Sequence, residues 1–163
     1  MPDAPPCYVI DTSSLIKWWD EDYSPQVFAS LPDRMAALIA SGRLRSVREV
    51  KDEIKDSADP DELTLAKWCK AQEGFFIDDD ADVLLAVAGI MAEFQDPKKK
   101  FGISGADPFL IARAILSGRE RIVVSDENPA NGNAHKNPNI PFVCVQRKVT
   151  HMRFFDLLQK EGW

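Results

Sequence analysis

Short, fully apolar runs alternate along the chain with longer segments whose apolar residues recur at helical spacing. CYVI (Cys7–Ile10) is such a run, ending at Asp11 and followed by the helix-starting string Thr12, Ser13, Ser14. Residues 24–41 have helical periodicity, with Ser24 as N-cap, Pro25 in the first turn and Gly42 as the stop. LRSV (44–47) reads as a second strand leading into a charged helix over 48–56, and residues 60–72 as another helix stopped near Gly74. FFI (75–77) is a third strand, 80–95 a mostly apolar helix, and 96–105 a loop. Asp107-Pro108 opens an apolar helix ending at Ser117-Gly118, with Asp107 placed to cap it. RIVVS (121–125) is the clearest strand; 128–141 is an Asn- and Pro-rich loop, FVCV (142–145) a fifth strand, and 150–160 a closing helix. Apolar strands separated by helices predict a three-layer α/β/α sandwich around a parallel sheet of about five strands, Rossmann-like in class. Without a linker or internal repeat, residues 1–163 read as a single domain.

Composition narrows the chemistry. The longest nearly unbroken apolar run, 83–92, is far shorter than the roughly 20 residues of a membrane helix, so no membrane partner is expected. The N-terminal MPDAPP lacks the basic and apolar regions of a signal peptide. Three cysteines without paired spacing argue against a disulfide framework or a zinc site and point to a reducing cytoplasm. Twenty basic against 26 acidic residues give a net charge of −6, the opposite of the usual nucleic-acid binder. Two histidines, His135 and His151, leave little for imidazole chemistry, and both read as surface residues.

Carboxylates are another matter. Ligands of open parallel sheets bind beyond the carboxyl ends of the strands. Asp11 ends the first strand there, and Asp126-Glu127 end the fourth. Asp107 shares the helical phase of Ile111, Ala114 and Ile115, so it faces inward and requires a partner, either a backbone cap or a metal ion. On the charged helix Glu53 stands roughly 90° from the inward direction set by Val47, Val50 and Ile54, and Glu49 roughly 130°; Asp52 and Asp56 lie on the solvated side. The run Asp78, Asp79, Asp80, Asp82 lacks the glycine and terminal glutamate of a calcium loop and reads as negative charge at a helix start. Converging carboxylates select Mg2+ or Mn2+, whose usual task is phosphoryl chemistry. A phosphatase with Asp11 as nucleophile would need a second aspartate two residues on, where Ser13 stands.

YVIDTSSL, EVKDEI, SGADPFLIARA and IVVSDE occur in this order across nearly the whole chain and resemble the successive motifs of PIN domains. The likeness is to the PIN-like branch long catalogued as a domain of unknown function, and more distantly to VapC-type toxin ribonucleases. This resemblance implies a Mg2+- or Mn2+-dependent endoribonuclease, the toxin of a toxin–antitoxin pair, with RNA as substrate and an antitoxin protein as partner. Homodimers are common in such families. It assigns catalysis and metal binding to Asp11, Glu53, Asp107 and Glu127, with Asp126 as the alternative or supporting ligand. Ser125 falls on the family's hydroxyl position, and Thr12 or Ser13 would orient the first carboxylate. Glu127 is longer than the family's usual aspartate, and residues 57–103 exceed a minimal toxin. RNA contacts would fall to Lys17, Arg113, Lys136 or the lysines at 98–100. The alternative is a catalytically silent PIN-like module that binds RNA or protein.

Overall fold

In the computed structural model, which describes residues 3–95, 102–117, 120–134 and 136–163, the first apolar run forms strand β1 (Cys7–Ile10), buried along its whole length. Burial of consecutive residues requires cover on both faces of a sheet. β1 is flanked by β2 (Leu44–Val47) and β4 (Arg121–Val124), pairing Tyr8 with Leu44 and Val9 with Val123. β3 (Phe76–Ile77) adds outside β2, and β5 (His151–Met152) outside β4. The resulting five-stranded sheet is parallel throughout, in the order β3-β2-β1-β4-β5.

Helices α1 (Thr12–Ile16), α2 (Leu31–Ala40), α3 (Arg48–Glu53), α4 (Leu65–Lys70), α5 (Ala81–Glu93), α6 (Asp107–Leu116), α7 (Ile140–Gln146) and α8 (Phe154–Glu161) flank the sheet as the outer layers. α6 packs across β1, β2 and β4 and carries α5 and α7 against it. Elsewhere, α1 continues into a wider, π-helical turn (Lys17–Asp22) that drives Trp18 and Trp19 into the core. Trp18 meets Trp68 of α4 edge-on at 4.8 Å and stacks on Phe154 of α8 at 6.3 Å. At the opposite end of β1 from Asp11, Tyr8 Oη donates to Glu161, which also pairs with Arg43. Burial beside Glu161 pushes the Tyr8 phenol well above its ordinary pKa. No helix of the described residues is long and apolar enough to cross a membrane.

Local chemistry moved several predicted boundaries. α2 begins at Leu31 rather than Ser24: the Ser24 carbonyl accepts from Val27 and Phe28 in a turn, and Pro32, lacking an N–H, sits in the first helical turn. α4 is shorter than 60–72, beginning where Thr64 Oγ1 accepts from Lys67 N at 3.2 Å. FVCV is not a strand. Asn139 caps α7 by accepting from Phe142 N at 3.2 Å, and Ile140, Val143 and Cys144 are buried at helical spacing while Val145 is 73% exposed. The fifth strand is instead His151–Met152, inside the predicted closing helix, which starts only at Phe154. Ala106, not Asp107, caps α6; Asp107 is its first residue and makes no capping bond. The acidic run at 78–82 lies at the start of α5, as expected, and Asp80 caps that helix, accepting from Val83 N at 2.9 Å. The cysteines are free and buried. The predicted loop over 96–105 lies largely, and the lysines at 98–100 and His135 wholly, outside the described residues.

Candidate functional site

The strand order reverses direction between β1 and β4, and such a switch point opens a crevice at the carboxyl ends of its two strands. Asp11 follows β1 there and Asp126-Glu127 follow β4. The N-terminus of α6 brings Asp107, and the last turn of α3 brings Glu53.

Short polar bonds fix these groups. Asp11 Oδ2 accepts from Ser13 Oγ at 2.7 Å and from Ser13 N at 3.3 Å, so Asp11 is both the cap of α1 and a carboxylate held in the crevice. The Ser13 hydroxyl also accepts from Asp126 N at 3.0 Å and lies 3.4 Å from Ser125 Oγ, tying the ends of β1 and β4 together. Ser125 Oγ in turn accepts from Glu127 N at 3.2 Å. Thr12 Oγ1 donates to Glu53 Oε2 at 2.6 Å, and Ala106 N donates to Glu53 Oε1 at 3.1 Å. Ile140 N, at the start of α7, donates to Glu127 Oε2 at 2.7 Å. Among the described residues nothing bonds the Asp107 carboxylate.

The electrostatics follow from burial. The pKa of Asp107 is pushed up to about 8, first by burial and then by the charges of Glu127, Asp11 and Glu53. Burial also raises Asp11, against the pull of the Ser13 hydroxyl, and raises Glu127, against the Ile140 amide. Even the Cys144 thiol, pushed up to about 12 mainly by burial, feels Glu127 and Asp107. Among the described residues no lysine or arginine forms an ion pair with these acids. A like-charged, partly buried cluster without a cation has the chemistry of a hard divalent-ion site. The geometry is not that of a formed site. Among the described residues no three acids, cysteines or histidines are arranged to hold an ion as they stand. Glu53 and Glu127 are turned onto protein donors; hydrogen-bonded carboxylate oxygens keep a second lone pair for a cation.

Asp126 points elsewhere. Its Oδ2 accepts from Ser14 Oγ and, at 3.3 Å, from Phe154 N at the start of α8. The charges acting on Asp107 are those of Asp11, Glu53 and Glu127, without Asp126. Of the two adjacent acids, then, Glu127 faces the cluster and Asp126 anchors α8. Asp126→Asn is expected to lower stability by about 1–2 kcal/mol and to leave divalent-ion binding within about threefold, whereas Glu127→Gln weakens it at least tenfold. Urea denaturation and metal titration of both variants check this.

Gly105, at φ +60°, turns the chain into α6, and a Cβ there would stand 3.0 Å from Glu53 Oε1. Gly105→Ala is therefore expected to cost about 1–2 kcal/mol and to displace Glu53 from the Ala106 amide, visible as a chemical-shift change at that amide.

The proposed basic contacts are mostly committed to other partners. Lys17 pairs with Asp22 at 3.0 Å and Glu21 at 3.4 Å, and Arg113 bonds the Asp78 carbonyl and pairs with Asp80. Lys136 is exposed in the Asn-rich loop. Asn side chains order that loop: Asn139 Nδ2 donates to Asn128 O at 2.9 Å, and Asn137 Nδ2 to Asn131 O at 3.1 Å. His151 is not a surface residue at a helix start; it is half-buried on β5, its Nε2 3.1 Å from Ser125 O, and burial lowers its pKa. Glu49, which the helical wheel turned away from the core, faces Asp79, and burial beside that acid raises its pKa to about 7.

A family model described as "Domain of unknown function (DUF4411)" matches residues 8–163, a span containing every acid of the cluster. The chain belongs to this family. No curated protein matches it.

Proposed function

We propose that the chain is a metal-dependent endoribonuclease, hydrolysing RNA phosphodiesters with Mg2+ or Mn2+ held by Asp11, Glu53, Asp107 and Glu127. The observation that carries this reading is the meeting of these acids at the switch point with no lysine or arginine among the described residues ion-paired to them. When bound, a divalent ion supplies positive charge for the phosphate oxygens and makes water a stronger nucleophile. The chain's own residues hold the ligands in place. Ser13 orients Asp11, Thr12 and the Ala106 amide hold Glu53, and the Ile140 amide holds Glu127. Burial and the charges of Glu127, Asp11 and Glu53 raise the Asp107 pKa to about 8, so a cation held there would displace a proton from its carboxyl. The role of toxin in a toxin–antitoxin pair, with an antitoxin partner, is proposed on the resemblance of the four motifs to VapC-type ribonucleases.

Asp11→Asn tests the assignment. Mn2+ is expected to raise the melting temperature of the wild type and to leave that of the variant unchanged, with RNA cleavage lost and the circular dichroism spectrum kept. Cleavage retained in the variant contradicts it. A second reading, a silent module binding RNA or protein, draws on Glu53, whose two carboxylate oxygens both accept hydrogen bonds within the protein. RNA binding unaffected by chelator, without cleavage, is its signature.

A further inference from the structure

A cleft of about 500 Å³ opens beside the acid cluster, between the end of α3, the following segment 54–65 and the π-helical turn after α1. Its volume falls within the roughly 300–1,000 Å³ of small-molecule sites. Glu53 belongs to both the cleft and the cluster, so the two are continuous.

One wall is apolar, with Trp19 set edge-on against Trp18 at 5.4 Å and with Ile16 and Leu63 at the surface. Leu63 is 68% exposed, which packing within the chain does not explain. The lining also carries Asp20 and Glu62, both exposed, and among the described residues no hydrogen bond or ion pair engages either carboxylate. Lys55 is the one cation among the lining residues. A phosphate is repelled by these free carboxylates; a flat apolar ring with N–H donors along one edge suits a lining that is both apolar and acidic.

We propose that this cleft holds a nucleobase of the RNA strand next to the scissile phosphate, and that its carboxylate acceptors select guanine. The proposal rests on the nuclease reading for the strand that delivers the base. Guanine presents N1–H and the 2-amino group side by side, two parallel donors that match the two oxygens of one carboxylate, as a guanidinium does. Uracil offers one N–H between two carbonyls, which face the same carboxylates unfavourably. Adenine and cytosine pair one amino group with a ring acceptor. The segment over 54–65, most of which falls in the part of the chain (57–103) that exceeds a minimal PIN-type toxin, thus supplies base selection to a site whose chemistry comes from the strand ends.

Guanosine, inosine and uridine are titrated into the full chain in EDTA, following the amides of Leu63 and Thr64 and the Trp19 indole by NMR. Mn2+-dependent RNA cleavage is assayed in parallel. Guanosine is expected to shift these signals with an affinity at least tenfold above uridine and inosine, and Glu62→Gln to abolish that preference while leaving the spectrum of the core unchanged. No shift at these positions, equal shifts with uridine, or a response only to a lysine- or arginine-rich peptide overturns the proposal. Cleavage that persists in those cases leaves the nuclease standing without the base site. Guanosine binding without cleavage in any metal upholds the site and removes the nuclease.

Discussion

Asp107→Asn is expected to abolish metal-dependent RNA cleavage and at the same time to make the metal-free protein more stable. The carboxylate sits half-buried beside Asp11, Glu53 and Glu127, with no ion-paired lysine or arginine among the described residues, and burial and these charges raise its pKa to about 8. An amide of the same shape removes the Asp107 charge without opening a cavity. The pH dependence has a definite sign. The folded-state pKa lies above the ordinary 3.8, so between about pH 4 and pH 8 the folded form binds more protons than the unfolded form, and stability falls as pH rises through that window. Below pH 4 both forms are protonated and the difference vanishes. Replacing Asp107 is expected to flatten the slope and to add stability on the order of a few kcal/mol near pH 8. Asp11 and Glu127 are raised too, so a residual slope remains. Cleavage should fall by about 10²-fold or more, the loss typical of removing a principal electrostatic stabiliser of a transition state. Urea denaturation from pH 4 to 9 in EDTA, alongside cleavage in Mn2+, checks both halves. A variant that loses activity and stability together would point to a structural role for Asp107.

Trp18→Ala has the largest expected effect on the fold. Trp18 is fully buried and joins three elements, touching Trp19 of its own turn, Trp68 of α4 and Phe154 of α8. Truncation leaves a cavity and is expected to cost about 3–5 kcal/mol, a large share of a small domain's stability. The damage reaches the site, because the turn carrying Trp18 continues α1, whose first residues hold Asp11 and Glu53. Trp18→Phe is expected to be milder, at about 1–2 kcal/mol. Among the described residues the indole Nε1 has no hydrogen-bond partner, so phenylalanine loses volume and no bond. Equilibrium urea unfolding of the two variants gives both numbers. Equal losses would show that volume is not what Trp18 contributes.

The parallel sheet was legible because β1, β2 and β4 are short runs buried on both faces, a pattern that survives without knowledge of their neighbours. FVCV has the same composition and is a helix, because the cap at Asn139 and Pro141 in the first turn decide the local conformation before β propensity acts. β5 left no pattern to read: two residues paired at an edge have no periodicity. The helix over 24–41 failed at its start because two prolines lie seven residues apart, and only Pro32 falls in the first turn of the helix that forms.

At the site, helical phase turned Glu53 toward the crevice and Asp107 inward, and strand ends located Asp11 and the Asp126-Glu127 pair. Neighbouring residues at the end of a strand point opposite ways, so the sequence left open which of that pair joins the cluster. The contact that separates them, Asp126 with Ser14 and the Phe154 amide, joins residues far apart in the chain. The Ser13–Ser125 bridge across β1 and β4 was foreshadowed only as hydroxyls near the first and last acids. The cleft beside Glu53 had no sequence signal, since its walls come from three separate segments.

The central claim is that these acids hold a divalent ion that drives RNA hydrolysis. Its most direct test is incubation of the purified chain with a mixed RNA pool in Mn2+, with EDTA and Asp107→Asn as controls. Cleavage in Mn2+ that disappears in both controls is the predicted result. Absence of cleavage in Mn2+ and Mg2+, together with no heat of ion binding by calorimetry, would contradict it.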